Sequence, residues 1–249
     1  MGTCSYCSRW KPIRLLVQET NIKYCELEKQ DCRQGSIGKL INDLYMGYSS
    51  VRFDDERQSD IVSQFLDKYF YCDAKTFERV NDKTRQVSGI DVIFNMSHRQ
   101  YVCDEKAAIR YRNLKTFCME LTFLNKHDEL MDGWLIDPHK VNDSFLFVWI
   151  DKTKTDTIRS IDDIQVVEVA LVRKSEILAH LADYGWTVDK LKIKARRILN
   201  NPNEEMGNVR ERGYCFSYSD KLPEKPVNVL ISRKHLVGIS DINRKFEIK

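Results

Sequence analysis

Asp54, Asp55 and Glu56 open a stretch in which Ile61, Phe65, Leu66, Tyr69 and Phe70 recur at helical spacing. That period places the apolar residues on one stripe, and acidic residues in a first turn suit the positive end of the helix dipole. An amphipathic helix is therefore predicted over 55–71. Before it, residues 1–35 are mixed in character, and a short helix is predicted over 37–45.

Beyond residue 71 the period changes. Gly89-Ile90-Asp91-Val92-Ile93-Phe94 is apolar and β-branched, Asn95-Met96-Ser97-His98 has turn character, and Gln100 to Ala108 is apolar again. The pattern predicts an antiparallel hairpin. Further strands are predicted at 116–124, 134–137, 145–151 and 164–172. A helix capped by Ser175 follows and ends before Gly185. Another spans 187–200, with Leu191, Ala195, Ile198 and Leu199 turned inward, and short strands follow at 214–218 and 227–231. Helices flanking a central sheet make this an α/β chain. Its expected organisation is an N-terminal extension over 1–50, a core over 51–185, and basic elements over 186–249 packed on that core.

Composition narrows the class. Apolar residues are 42% and charged residues 31% of the 249, with 10 Gly and 5 Pro, which excludes collagen-like and disordered chains. Apolar runs stay below about seven residues, the best being Phe145 to Ile150, against the roughly 18–20 a membrane span needs. The opening MGTCSYCSRWKP lacks a long apolar segment, and Tyr6 breaks the myristoylation pattern. A soluble, cytoplasmic protein without a membrane partner is expected. The net charge of +3 hides an asymmetry: from Tyr184 to Lys249 there are 14 basic against 8 acidic residues. A basic flank beside a more acidic remainder suits a metal-dependent enzyme acting on phosphates.

Eight cysteines in such a chain do not suggest disulfides. Cys103 and Cys118 lie in apolar strands and are expected to be small buried hydrophobes. Cys4 and Cys7, spaced for one zinc, could close a tetrahedron with Cys25 and Cys32, but six residues separate the second pair. Unliganded thiols are the expectation, with structural zinc the alternative.

The candidate chemistry sits in the hairpin. Side chains two apart on a strand share a face, so Asp104 and Lys106 point together while Glu105 points away. An antiparallel neighbour brings Asp91 beside Asp104. Two adjacent carboxylates repel unless a cation lies between them, and hard oxygen donors suit Mg²⁺ or Mn²⁺. A nearby lysine orients water and stabilises charge on a phosphate. Two plainer readings stay open: Asp91 paired with Arg99 across the hairpin, and Asp104-Glu105-Lys106 as a solvated edge.

GIDVIF and YVCDEKAA, behind an acidic-ended helix, resemble the PD-(D/E)XK nuclease superfamily, whose pattern is a helix, then a β-meander carrying Asp and later Asp/Glu-x-Lys. Asp91 matches the first acid, Asp104 the second and Lys106 the lysine; the resemblance covers roughly residues 54–151. Ile90 stands where a proline precedes the first acid in the motif. The resemblance implies a restriction-endonuclease-like mixed central sheet flanked by helices, with extra N- and C-terminal elements. It also implies a divalent-metal-dependent nuclease of the restriction or defence type, acting on DNA, with Asp91 and Asp104 as metal ligands and Lys106 as a catalytic group. Glu56 matches the helix glutamate many members carry, with Gln58 its rival. A restriction enzyme cutting both strands implies a homodimer. The alternative is a non-catalytic nucleic-acid-binding or protein-interaction module on a nuclease-like fold.

Glu120, an acid amid an apolar strand, is a further candidate to support the site, or else a solvent-facing acid. Lys190, Lys192, Lys194, Arg196 and Arg197 put five cations within eight residues on one helix, a candidate nucleic-acid contact through counterion release or else a solvated face. Arg210-Glu211-Arg212 and Arg233-Lys234-His235 would extend such a groove. His98, His127 and His139 fall in loops and are given no role. Trp134, Trp149 and Trp186 are expected in the core.

Overall fold

A computed structural model describes residues 57–248 except 202 and 205. The helix predicted over 37–45, residues 54–56 and the four N-terminal cysteines lie outside the described residues.

Helix α1 covers residues 57–69. Its stripe of Ile61, Val62, Phe65 and Leu66 is buried, as the periodicity requires. A 3-10 turn, Tyr71–Asp73, leads into β1 (Thr76–Arg79), and a short helix α2 (Lys83–Val87) is capped by the Asp82 side chain. Strands β2 (Val92–Met96) and β3 (Arg99–Ala108) form the expected hairpin. Its turn is tighter than the sequence suggests: only Ser97 and His98 leave the strands, with φ of 52° and 65°. Positive φ at both central residues gives the mirror-image turn whose twist matches that of paired strands. Next come β4 (Thr116–Leu124), β5 (Leu130–Asp132), β6 (Ser144–Thr153), a 3-10 turn Ile161–Asp163 and β7 (Ile164–Arg173). The chain continues through α3 (Lys174–Asp183), α4 (Val188–Asn200), α5 (Val209–Arg212), β8 (Tyr214–Tyr218), β9 (Val227–Ser232), α6 (Arg233–Gly238) and β10 (Ile242–Glu247).

The described strands form two sheets. Six pair in the order β1-β2-β3-β6-β7-β10, with β3 and β6 parallel and the other pairs antiparallel. The fold is thus mixed α/β, with a mixed central sheet flanked by helices. Four more strands make an antiparallel sheet, β5-β4-β9-β8, where the sequence suggested a single central sheet. The reason lies in the side-chain pattern. Phe117, Met119, Leu121, Val229 and Ile231 give β4 and β9 one apolar face, enough to cover a core but not to be covered on both sides. Cys118 consequently turns outward and is exposed, correcting its expected burial; Cys103 is buried as expected.

Strand β6 shows the two-sided pattern. Phe145, Phe147 and Trp149 enter a core shared with the second sheet and helices α3, α4 and α6, while Leu146, Val148 and Ile150 enter a core closed by α1. Trp149 is fully buried, and Trp134 and Trp186 are partly buried against the same core.

Two local expectations differ. Residues 134–137 are not a strand: Ile136 and Asp137 both donate backbone N–H to the Gly133 carbonyl, closing a turn. Gly133 itself passes so close to β4 that a Cβ would meet the Glu120 carbonyl at 2.4 Å, so the chain cannot lie there as an ordinary strand. Ser175 does not cap α3; Arg173 holds that position with no side-chain cap bond. On α4 the cap is Thr187, whose hydroxyl accepts from the Lys190 N–H, and Leu191, Ala195 and Ile198 face inward.

Among the described residues no helix is long and apolar enough to cross a membrane.

Candidate active site

The hairpin register pairs Val92 with Cys103, and the ladder runs one residue past β2. The Asp91 N–H donates to the Cys103 carbonyl at 2.9 Å, which puts Asp91 beside Asp104. The Asp91 carbonyl accepts from Val80 at 2.8 Å, and its Oδ2 accepts the Glu105 N–H at 2.8 Å. Asp91 is therefore fixed from three sides. Asp104 hydrogen-bonds to Asp91 through its carboxyl and takes Lys106 Nζ on Oδ1 at 2.6 Å. Lys106 in turn lies over the Trp134 ring, 5.1 Å from its centroid. The three residues matched to the nuclease motif thus converge. Arg99, the alternative partner for Asp91, stands at the other end of the hairpin opposite Met96 and lies over Tyr101.

Asp104 is only 5% exposed. Burial pushes its carboxyl up to about 6, with Lys106 pulling it down and Asp91 pushing it further up. This makes a stability prediction. A carboxyl raised in the folded state holds its proton to higher pH than the unfolded chain does, so stability falls as pH rises from about 4 to 6 and levels above. Asp104→Asn is expected to gain on the wild type across that window in chelating buffer, on the order of 3 kcal/mol by neutral pH. Urea unfolding of both proteins at several pH values measures it; parallel curves would contradict it.

Glu120 approaches the same group. The register between β4 and β9 shifts between Glu120 and Thr122, and the Trp134 backbone N–H bonds the half-buried Glu120 carboxyl. Burial raises that carboxyl, opposed by the Trp134 bond, Lys106 and Lys140.

Glu105 faces the other way, as alternation demands, and anchors a network absent from the sequence reading. It accepts from the Tyr71 hydroxyl at 2.8 Å and from Arg79 Nη1 at 2.8 Å, while Arg79 Nη2 reaches Asp67 at 2.5 Å. Burial pushes both the Glu105 carboxyl and the Tyr71 hydroxyl up. A cavity of about 420 Å³ opens here between α1 and the strands; Ser63, Asp67, Arg79, Asp91 and Glu105 line it. Asp91 therefore reaches open space on the α1 side while Asp104 lies behind it. The signal for Arg79 was weak, because Thr76-Phe77-Glu78-Arg79 is a short edge strand with no apolar alternation.

Glu56 lies outside the described residues. Gln58, its rival, accepts the Ile158 N–H at 3.2 Å. On α4, Lys192 pairs with Asp132 at 2.6 Å and Lys194 with Glu204 at 2.9 Å, whereas Lys190, Arg196 and Arg197 are exposed.

Among the described residues, no group of three or more His, Cys, Asp and Glu side chains is arranged to hold a metal ion. The carboxylate pair nevertheless suits a hard divalent cation. The buried Asp104 carboxyl beside that of Asp91 is a pair of hard oxygen donors, and Mg²⁺ is commonly held by one or two carboxylates with water and phosphate completing its shell. Comparison with protein-family models, curated proteins and solved structures finds no match to this chain.

Proposed function

We propose that the protein is a divalent-metal-dependent nuclease that hydrolyses phosphodiester bonds of DNA, on a restriction-endonuclease-like core. One observation carries the reading: Asp91, Asp104 and Lys106 meet at the end of the β2–β3 hairpin, Asp104 shared between the other two. The chain order supports it as well, since α1 and the β1–β3 meander precede and carry the motif as the superfamily pattern requires.

In this reading Asp91 and Asp104 would hold Mg²⁺ or Mn²⁺, which would supply positive charge against the phosphate and make water more acidic. Asp91 is held in place by the Val80 and Glu105 amides, so its carboxylate needs no reordering to bind. Lys106, held beside Asp104, would orient the attacking water and neutralise charge gathering on the phosphoryl oxygens. The water oxygen bonds to phosphorus, the bond to the leaving sugar oxygen breaks, one proton passes to solvent and the leaving oxygen takes one up. Lys190, Arg196 and Arg197 would contact the backbone of the substrate without reading sequence.

A non-catalytic nucleic-acid-binding or protein-interaction module is favoured by a different observation: Lys106 already balances the charge of Asp104. Incubation of plasmid DNA, single-stranded DNA and RNA with Mg²⁺, and separately with chelator, decides between them. Mg²⁺-dependent cleavage of DNA is expected; no turnover, together with no heat on Mn²⁺ titration, would leave the binding module.

A further inference from the structure

Tyr111 stands out of the surface on a loop that is pinned beneath it. With 67% of its area exposed, it is the most exposed Phe, Tyr or Trp among the described residues. The loop joins β3 to β4, and both of its ends are anchored: Ile109 packs against the core closed by α1, Leu114 against the other core. Arg112 clamps the middle. Its guanidinium donates to the Ile109 carbonyl, to Thr153 Oγ1 at 3.2 Å and to the Asp156 carbonyl at 3.1 Å, which ties the loop to the segment after β6. A large ring that buries little of itself, on a loop already held in place, is pre-ordered for an external partner.

The segments that meet here carry cations outward and most of their acids inward. Strands β3 and β6 pair in parallel as far as Ala108 and Trp149, so the chain leaves both at the same end of the sheet. Lys152 and Lys154 flank Thr153, the residue that Arg112 holds. From the other side, the Lys115 carbonyl accepts the Arg233 N–H at 2.8 Å, and Arg233 Nη1 reaches Asp151, next to Lys152, at 2.7 Å. Asp151 and Glu168 share Arg233, and Asp163 accepts the N–H groups of Arg159 and Ser160 at 2.8 and 3.1 Å; all three acids are half-buried. At the surface, Lys115, Lys152, Lys154 and Arg159 are exposed against two exposed acids, Asp156 and Asp162. Among the described residues those four cations enter no ion pair.

The ring and the cations select between ligands. An apolar protein surface would leave the lysines unanswered, and an acidic peptide would leave the ring without a stacking partner. A nucleic-acid strand answers both, because phosphates meet the ammonium groups and every base has a face to stack. In a duplex those faces are already occupied by neighbouring bases, so the match is to a single strand.

We propose that Tyr111 with Lys115, Lys152 and Lys154 forms a docking surface for single-stranded nucleic acid, the ring stacking on a base and the ammonium groups neutralising phosphates. Tyr111 follows Asp104 by seven residues, so the two lie within about 25 Å of each other. A strand held here can reach the carboxylate pair, but the holding needs neither a metal nor that pair. Fluorescence anisotropy of a labelled oligothymidylate of about 15 residues, in chelator over a KCl series, reads the binding. Tyr111→Ala is expected to weaken it roughly tenfold with the salt slope kept, and Tyr111→Phe to retain it. Lys152→Gln with Lys154→Gln should lower the salt slope by about 1.4, two phosphate contacts' worth for a single strand. Wild-type affinity in Tyr111→Ala, or an unchanged slope in the double variant, would overturn the assignment. So would a wild-type protein that does not bind oligothymidylate, or one that binds polyglutamate with the same dependence on Tyr111. Should Tyr111→Ala melt early, photocrosslinking of a bromouracil-substituted oligonucleotide to the wild type decides: an adduct on the peptide bearing Tyr111 supports the surface, and adducts only elsewhere refute it. Chelator is present throughout, so failure here would leave the nuclease reading standing, and failure of Mg²⁺-dependent cleavage would leave this surface standing.

Discussion

Asp104→Ala is expected to abolish Mg²⁺-dependent DNA cleavage, by at least about a hundredfold, while the protein still unfolds cooperatively near the wild-type temperature. The two halves of that expectation have different causes. Activity is lost because Asp104 is one of two carboxylates at the site and the one that fixes Lys106. Stability is kept because a buried carboxyl forced up to about 6 contributes unfavourably in neutral, metal-free buffer. Alanine leaves Lys106 without its partner, but that side chain is 27% exposed and can reach water. Cleavage assays beside a thermal melt test both halves. Wild-type cleavage by Asp104→Ala would sink the catalytic assignment outright; a collapsed melt would show that the pair holds the hairpin together instead.

Arg79→Ala should produce the largest loss of stability, about 3 kcal/mol. Arg79 joins Asp67 on α1 to Glu105 on β3, and Glu105 is only 10% exposed, so removing the guanidinium strands a buried carboxylate with, among the described residues, the side-chain donors Tyr71 and Ser63. The mechanism fixes the pH dependence. Once Arg79 is gone the Glu105 carboxyl rises further, so the variant is hurt most at neutral pH. It recovers as pH falls and Glu105 takes a proton. Glu105→Gln in the Arg79→Ala background should restore much of the loss at pH 7. Urea unfolding at pH 7 and pH 5 measures this, and a deficit that is small or independent of pH would show that the guanidinium is not countering a buried charge.

The motif was legible because its residues are close in sequence and its strands alternate strongly. Tyr101, Cys103 and Ala107 face α1, which leaves Asp104 and Lys106 on the opposite face. Strands β4, β6 and β7 and helix α4 were legible for the same reason: dense apolar residues at one period. The error at Trp134-Leu135-Ile136-Asp137 came from that same signal, since an apolar run does not reveal that Gly133 must pass against the Glu120 backbone. Strands β1 and β10 were missed because edge strands need only half a ladder and carry polar residues such as Glu78, Arg79, Asn243 and Lys245. Lys174 gave no signal at all: it comes within electrostatic range of Asp104 through the β3–β6 and β6–β7 ladders, and a juxtaposition across 70 residues has no local pattern.

Strand β6 gives its odd-numbered side chains to one core and its even-numbered ones to the other. Neither core can open without stripping apolar surface from the strand that backs its neighbour, so the two should melt in one step rather than in turn. The hairpin bearing Asp104 is zipped directly to this shared strand through the β3–β6 ladder. Local breathing is thereby pushed outward to the edge strands and surface turns, and the carboxylate pair is spared the fluctuations that would blur its spacing.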